Sequence, residues 1–229
     1  MADNDALARV PEPELMDSHE QVAAYAAADF SESNQFFADY LIEHFEPRPR
    51  SGRLIDLGCG PGDICIRLAG LLPGWSITGL DAGTNMLARA RRELAERGPD
   101  LPIGKQIDFR LAHLPDPSLK RHDWQCVVSN SLLHHLPDPN VLWQSIAELA
   151  EKGAWVQVMD LIRPAGAGRV DELVQRYAGR EADVLKADFG NSLRAAWRVD
   201  EVRAQLRNAG LALTCRPVSD RHWMVSGFA

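Results

Sequence analysis

The stretch RLIDLGCGPGDICIRLAGLLPGWSITGLDAG, residues 53–83, limits what this chain can fold into more than any other. An apolar run ends at Leu57, Gly58, Gly60 and Gly62 follow within five residues, and a second apolar run ends on Asp81. Glycine accepts the left-handed backbone of a sharp turn, and its missing Cβ lets backbone come close to a ligand. The pattern reads as strand, tight turn, helix, strand, the opening of an α/β sheet.

Three kinds of ligand loop fit a glycine cluster of this sort unequally. A phosphate loop of GxxxxGK[ST] form needs a lysine for the terminal phosphates and a hydroxyl for magnesium, and neither stands here. A dinucleotide loop of GxGxxG form finds Asp63 where its third glycine belongs. A carboxylate there opposes a pyrophosphate, because a helix N-terminus favours an anion from the ligand. The GxGxG turn of DLGCGPG suits a nucleoside without phosphate. Asp81, closing the next strand, then accepts hydrogen bonds from the ribose hydroxyls.

The rest of the chain continues the alternation. Ser18 and Gln21 form the start of a capping box before HEQVAAYAAADF, and NQFFADYLIEHF predicts a second helix with an aromatic stripe at helical spacing. Residues 1–17, bearing Pro11 and Pro13, read as a loose leader, and EPRPRSG at 46–52 breaks the chain before the first strand. RLIDL, WSITGLD, KQIDFRLA, DWQCVVSN and AWVQVMD predict five strands. Between them, DICIRLAGLL, TNMLARARRELAERG (stopped at Gly98-Pro99) and NVLWQSIAELAEKG (ended by Gly153) predict helices. Residues 161–198 contain helical pieces and no obvious strand. VDEVRAQLRNAG is a last amphipathic helix, and LALTCRPVSDRHWMVSGF a closing antiparallel hairpin. Strands alternating with helices imply a parallel sheet covered on both faces.

Composition narrows the function. Against 25 basic residues stand 32 acidic ones, a formal charge of −7, which disfavours a duplex-binding role. Arg89, Arg91 and Arg92 lie close together and read as a solvated helix face. No apolar run approaches the roughly 20 residues of a membrane span. Cys59, Cys65, Cys126 and Cys215 form no CxxC pair, so reduced thiols in a cytoplasmic protein are expected, with no metal site.

Residues 53–83 resemble the class I S-adenosylmethionine-dependent methyltransferases, small-molecule type. VVSNSLLHHLPDP (127–139) is similar to the family's fourth-strand segment, and VQVMDLIRP (156–164) to its fifth-strand end. The resemblance implies a Rossmann-like, doubly wound seven-stranded α/β sheet, mostly parallel with an antiparallel C-terminal hairpin and helices on both faces. It further implies a leader and helical lid over 1–50 and a core over 51–229, with a substrate cap at about 161–198.

Carried over by position, the resemblance implies S-adenosyl-L-methionine as cofactor, leaving as S-adenosyl-L-homocysteine. Asp56, Gly58, Cys59, Gly60 and Gly62 would line its methionine part, Asp81 its ribose, and Ala82 and Met86 its adenine. The family's adenine-reading acid after the third strand is replaced by Ala112 and His113. Asn130 would sit beside the transferred methyl, and His134 and His135 are candidates for taking a proton from the nucleophile. Acceptor contacts are expected from Tyr25, Asp29, Phe30, Asn34, Asp160, Arg163, Asn191, Arg194 and His222. The expected reaction is methyl transfer to a nitrogen, oxygen or sulfur of a small polar metabolite. Modification of tRNA or protein, or a non-catalytic cofactor-binding subunit, stays open beside it.

Overall fold

The computed structural model describes residues 7–12, 15–97, 106–119 and 121–229. Strands β1 (Gly52–Leu57), β2 (Trp75–Asp81), β3 (Ile107–Leu111), β4 (Trp124–Asn130) and β5 (Ala150–Leu161) run parallel. β6 (Thr214–Pro217) and β7 (His222–Phe228) complete one seven-stranded sheet in the order β3-β2-β1-β4-β5-β7-β6, with β7 antiparallel to both β5 and β6. The strand order reverses direction between β1 and β4, and in open α/β sheets a crevice forms there, beyond the carboxyl ends of the strands.

β1, β2, β4 and β5 carry buried apolar residues on both sides and feed two cores, as strands covered on both faces require. β3, at the edge, feeds one core through Ile107 and Phe109. Leu54, Ile77, Val128 and Met159 pack with helices α2 (Ser31–His44), α3 (Asp63–Leu71) and α4 (Thr84–Arg97). Ile55, Leu57, Val127 and Val156 pack on the opposite face with α5 (Asn140–Leu149) and α8 (Val199–Asn208), around the fully buried Trp143 and Trp223. A third, smaller cluster joins α6 (Ala167–Ala178) to α7 (Asp183–Ala195) through Val170, Leu173 and Leu193. The helical pieces expected within 161–198 are these helices.

Two expectations change. The helix predicted up to Gly153 stops at Leu149, and Ala150 already pairs with Trp124 in the sheet. Gly153, at φ +81°, turns the backbone within the early part of β5 rather than capping a helix. The stop expected at Gly98-Pro99 lies outside the described residues, and α4 is described to Arg97.

The leader is also not loose where it is described. Arg163, buried to 5% exposure, donates to the Leu7 carbonyl at 3.0 Å and the Ala196 carbonyl at 2.8 Å and pairs with Glu201. Arg9 lies over the Trp197 ring at 4.1 Å and donates to the Ala195, His134 and Leu136 carbonyls. A buried guanidinium holds its charge at low cost only when its donors are engaged, and here backbone carbonyls of the leader and its neighbours supply the partners.

Further along, Asp17 caps a helix that begins far away in sequence. Its Oδ1 accepts from the Asn85 and Met86 amides at 2.9 and 3.1 Å, and its Oδ2 from the Thr84 hydroxyl at 3.2 Å. The carboxylate thereby satisfies the first amides of α4 and draws the leader across the crevice. Helix α1 (His19–Ala27) follows at once, with the Ser18 Oγ accepting from the Gln21 amide at 3.1 Å. The other half of the expected capping box is absent, because the Gln21 side chain reaches Asp188 on α7 instead. Asp17→Ala is expected to cost about 1 kcal/mol through the lost cap. A differential-scanning melt should register this as a fall of about 2–4 °C in Tm.

Candidate functional site

The glycine turn stands at the crevice. Gly58, Gly60 and Gly62 hold φ of +75°, +51° and +83°, values costly for any residue with a Cβ. Their surroundings differ. A Cβ on Gly62 would lie 2.6 Å from the Phe109 ring, so that glycine serves helix-to-sheet packing, whereas a Cβ on Gly60 would meet nothing within 4 Å. Gly60 therefore bares its backbone to the crevice.

The turn is tied to β2 by the carboxylate that closes that strand. Asp81 Oδ2 accepts from the Gly60 amide at 2.8 Å and Oδ1 from the Gly83 amide at 2.7 Å. The Gly58 and Cys59 amides both donate to the Leu80 carbonyl at 2.8 Å. Burial raises the Asp81 pKa, opposed by these two amide bonds.

A first chamber opens from this turn and a second adjoins it. The first, about 140 Å³, is lined by Asp56, Gly58, Cys59, Gly60, Asp81, Ala82, Met86, Ala112, His113 and Asn130. Gly62 stands behind it, at the start of α3. The second, about 320 Å³, lies under α1, α6 and α7 and takes in Asp29, Phe30, His134 and His222. Tyr25, Asn34, Asn130, Ser131 and His135 border both chambers. Tyr25 stacks on Phe30 at 4.5 Å, and burial, reinforced by Asp63 and Asp81, pushes its phenol up to about 12. Ser131, between the chambers, holds φ +57°, a left-handed conformation rare for serine and common at binding sites.

Two residues of the first chamber carry buried polar atoms without partners. Asp56 and Asn130 both line it, and the buried Oδ1 of each accepts no hydrogen bond. The other carboxylate oxygen of Asp56 accepts from the Cys65 thiol at 3.3 Å. Burial pushes this carboxyl up to about 7, partly offset by the Cys65 contact and reinforced by Asp81.

Around the second chamber, His134 is a fixed strut. Its Nδ1 lies 2.5 Å from Asp160 Oδ1, and its amide donates to Oδ2 at 3.1 Å. Burial disfavours the imidazolium, but Asp160 and then Glu12 outweigh it and raise the His134 pKa. Burial likewise works against the Asp160 carboxylate, yet His134 holds it below the ordinary range. Burial and Arg221 depress His222 to about 4, leaving a neutral imidazole on the chamber wall.

Several residues expected at the acceptor do not reach either chamber. Asp160 lies beneath His134 and Arg163 anchors the leader. Arg194 donates to the Gly190 carbonyl at 2.8 Å and Asn191 is exposed on α7. Asp160, Arg163 and Arg194 are engaged by His134, by Glu201 and by backbone carbonyls, pairings that composition does not reveal. Conversely, Met16, Glu12, Ser131, Tyr177, Asp188 and Ser192 stand at or beside the chambers without having been anticipated. No motif marks them. The helix-forming pattern around Ser192 hid its inward face, and Glu12 comes near His134 only through the anchored leader.

The comparisons with known proteins point the same way. Residues 55–156 match the family described as methyltransferase domain. Trans-aconitate 2-methyltransferase of Mycobacterium tuberculosis is 39% identical over 110 residues, covering 48% of this chain and 37% of that protein. The chain thus spans little more than a third of that relative. The ubiquinone biosynthesis O-methyltransferase of Xanthomonas axonopodis is 26% identical over 176 residues, or 76% of this chain and 68% of the relative. A solved S-adenosylmethionine-dependent methyltransferase from Aquifex aeolicus shares the fold at a TM-score of 0.67 and 15% identity, covering 90% and 96% of the two chains.

The buried Asp56 carboxyl makes a pH-dependent prediction for the unliganded chain. Below the unfolded value of 3.8 it is neutral in both states. Between there and about 7 the unfolded chain sheds this proton while the folded chain keeps it, so stability falls as pH rises through that window. Asp56→Asn removes the loss. The variant should be more stable than the parent by on the order of 1–4 kcal/mol near pH 8, with the advantage shrinking toward pH 4, in urea melts across pH.

Proposed function

We propose that this chain, a member of the class I S-adenosylmethionine-dependent methyltransferases, transfers a methyl group from S-adenosylmethionine to a nitrogen, oxygen or sulfur of a small polar metabolite. The observation that carries the proposal is the pair of adjoining chambers, one built on the glycine turn and Asp81, with Asn130 and His135 on the wall they share.

The residues of the first chamber suit such a cofactor. Asp81, at the end of β2, would take the ribose hydroxyls with the lone pairs its two amide bonds leave over. The orphaned Oδ1 of Asp56 offers a carboxylate to the ammonium of the methionine part, and Gly60 leaves the space its backbone approach needs. Ala82, Met86, Ala112 and His113 would enclose the adenine, with no side-chain acid reading its amino group. Once bound, S-adenosylmethionine supplies an electrophilic methyl on a sulfonium.

The protein's remaining task is to hold a nucleophile in line and keep water away. Orientation of this kind supplies several kcal/mol, up to about 7–11 in favourable systems. Asn130 would orient the reacting groups through its unpartnered Oδ1, and Tyr25, Asp29, Phe30 and Asn34 would close the chamber as a lid formed by residues before 51. His135, with His134 beside it on Asp160, would receive the acceptor's proton. The acceptor would sit between this cluster and His222, under the cap formed by α6 and α7.

A small acceptor is supported by the relatives, whose names point to trans-aconitate and ubiquinone precursors, and by a formal charge of −7. The segment after β4, NSLL, lacks the Pro-Pro-aromatic run with which nucleic-acid methylating relatives hold a flipped base. Among the described residues no helix is long and apolar enough to cross a membrane, and the four cysteines are unpaired. Both fit the cytoplasmic location proposed here.

Titration calorimetry with S-adenosylhomocysteine tests the cofactor side. Binding is expected, and Asp81→Ala should weaken it by about 10–100-fold, the cost of a lost charged acceptor. Absence of binding to the parent chain would refute the proposal. A methyl-transfer assay over a metabolite panel tests the rest. Asn130→Ala is expected to lower kcat by at least about tenfold with cofactor affinity nearly unchanged, as for a contact made chiefly in the transition state.

A further inference from the structure

Glu12, His134 and His135 come together beside the second chamber, although the leader contributes the first and the segment after β4 the other two. Glu12 Oε1 stands 3.5 Å from His134 Nε2 and 3.4 Å from His135 Nδ1, and the three ligand atoms all lie within 4.8 Å of one another. The side chains are 7%, 4% and 13% exposed in that order. Ser192 donates to Glu12 Oε2 at 3.3 Å, while the buried Oε1 accepts no hydrogen bond. A carboxylate oxygen is thus more than nine-tenths buried, unpartnered, and aimed between two imidazole nitrogens.

We infer that Glu12 Oε1, His134 Nε2 and His135 Nδ1 bind a divalent transition metal of the zinc class, with a fourth position open to the acceptor chamber. Two imidazoles and one carboxylate are a donor set that zinc takes in sites keeping an open position. Metal–ligand bonds of 2.0–2.2 Å in a tetrahedron place ligand atoms roughly 3.3–3.5 Å apart, which the two Glu12 contacts meet. The surroundings fit as well. Asp160 holds His134 Nδ1 at 2.5 Å, fixing the tautomer that turns Nε2 toward Glu12. A carboxylate behind a ligating histidine is the usual support of such sites.

Because both histidines form part of the chamber wall, the open position would select an acceptor presenting an oxygen donor, a hydroxyl or a carboxylate. A metal there would lower that donor's pKa, in place of the proton acceptance given to His135 above. Metal binding stands on these residues alone; the naming of that ligand as the methyl acceptor rests on the function proposed above.

The test is a cobalt(II) titration of the chelator-treated full chain. One equivalent should bind with the intense visible absorption of four-coordinate cobalt and without thiolate charge-transfer bands, since the four cysteines lie elsewhere. Glu12→Gln and His135→Gln should each weaken binding by at least about tenfold, and His19→Gln, an exposed residue of α1, should not. Circular dichroism on each variant separates a lost ligand from a lost fold, and His135→Gln, at the chamber wall, is the less invasive of the two. Failure of the parent chain to bind cobalt, or binding that both folded variants retain, overturns the inference. Calorimetry with S-adenosylhomocysteine on the same metal-free chain keeps the two readings apart. Cofactor binding without cobalt binding defeats only the metal site, and the reverse defeats only the proposed transferase.

Discussion

The carboxylate of Asp81 is the constraint on which the crevice depends. By accepting from Gly60 on one side and Gly83 on the other, it joins the turn after β1 to the turn after β2. It adds a side-chain tie at Gly60 to the backbone bonds that the Gly58 and Cys59 amides make to the Leu80 carbonyl. The arrangement costs something, since a buried anion is disfavoured and its pKa rises. Ligand-binding sites commonly keep such groups because their remaining lone pairs are directed at the ligand.

Polar groups, more than apolar ones, assemble the roof of the site. Asp17 caps α4 from across the crevice, Arg9 and Arg163 bind the leader to the segments around Ala165 and Ala195, and Asp160 anchors His134. Buried charges of this kind add little net stability, because desolvation offsets much of the attraction. What they supply is position. Each can be satisfied in only one arrangement, so the leader, the turn after β4 and helix α7 are brought to a common point beside the second chamber.

Much of the fold was legible along the chain, and much less of the acceptor side. All seven strands and the glycine turn follow from local periodicity and turn chemistry, and the place of Asp81 in the crevice from its position at a strand end. The helix after β4 was overextended because AEKG continues a helical pattern, while pairing of Ala150 with Trp124 favoured the strand. Asp160, Arg163, Asn191 and Arg194 were expected at the acceptor from their polarity. Arg163 is instead a buried anchor, Asp160 a support for His134, and the other two lie on the outer part of α7.

The sequence by itself determined that a strand, a left-handed turn, a helix and an acid-ended strand open a doubly wound sheet, because those choices depend on neighbours a few residues apart. Tertiary structure alone decided that Glu12 meets His134 and His135, that Asp17 closes α4, and that Asp56 and Asn130, each with an orphaned oxygen, line one cavity. The partner of a buried polar group is chosen by which distant segments pack together. That choice is made by the whole core at once, and no local pattern records it.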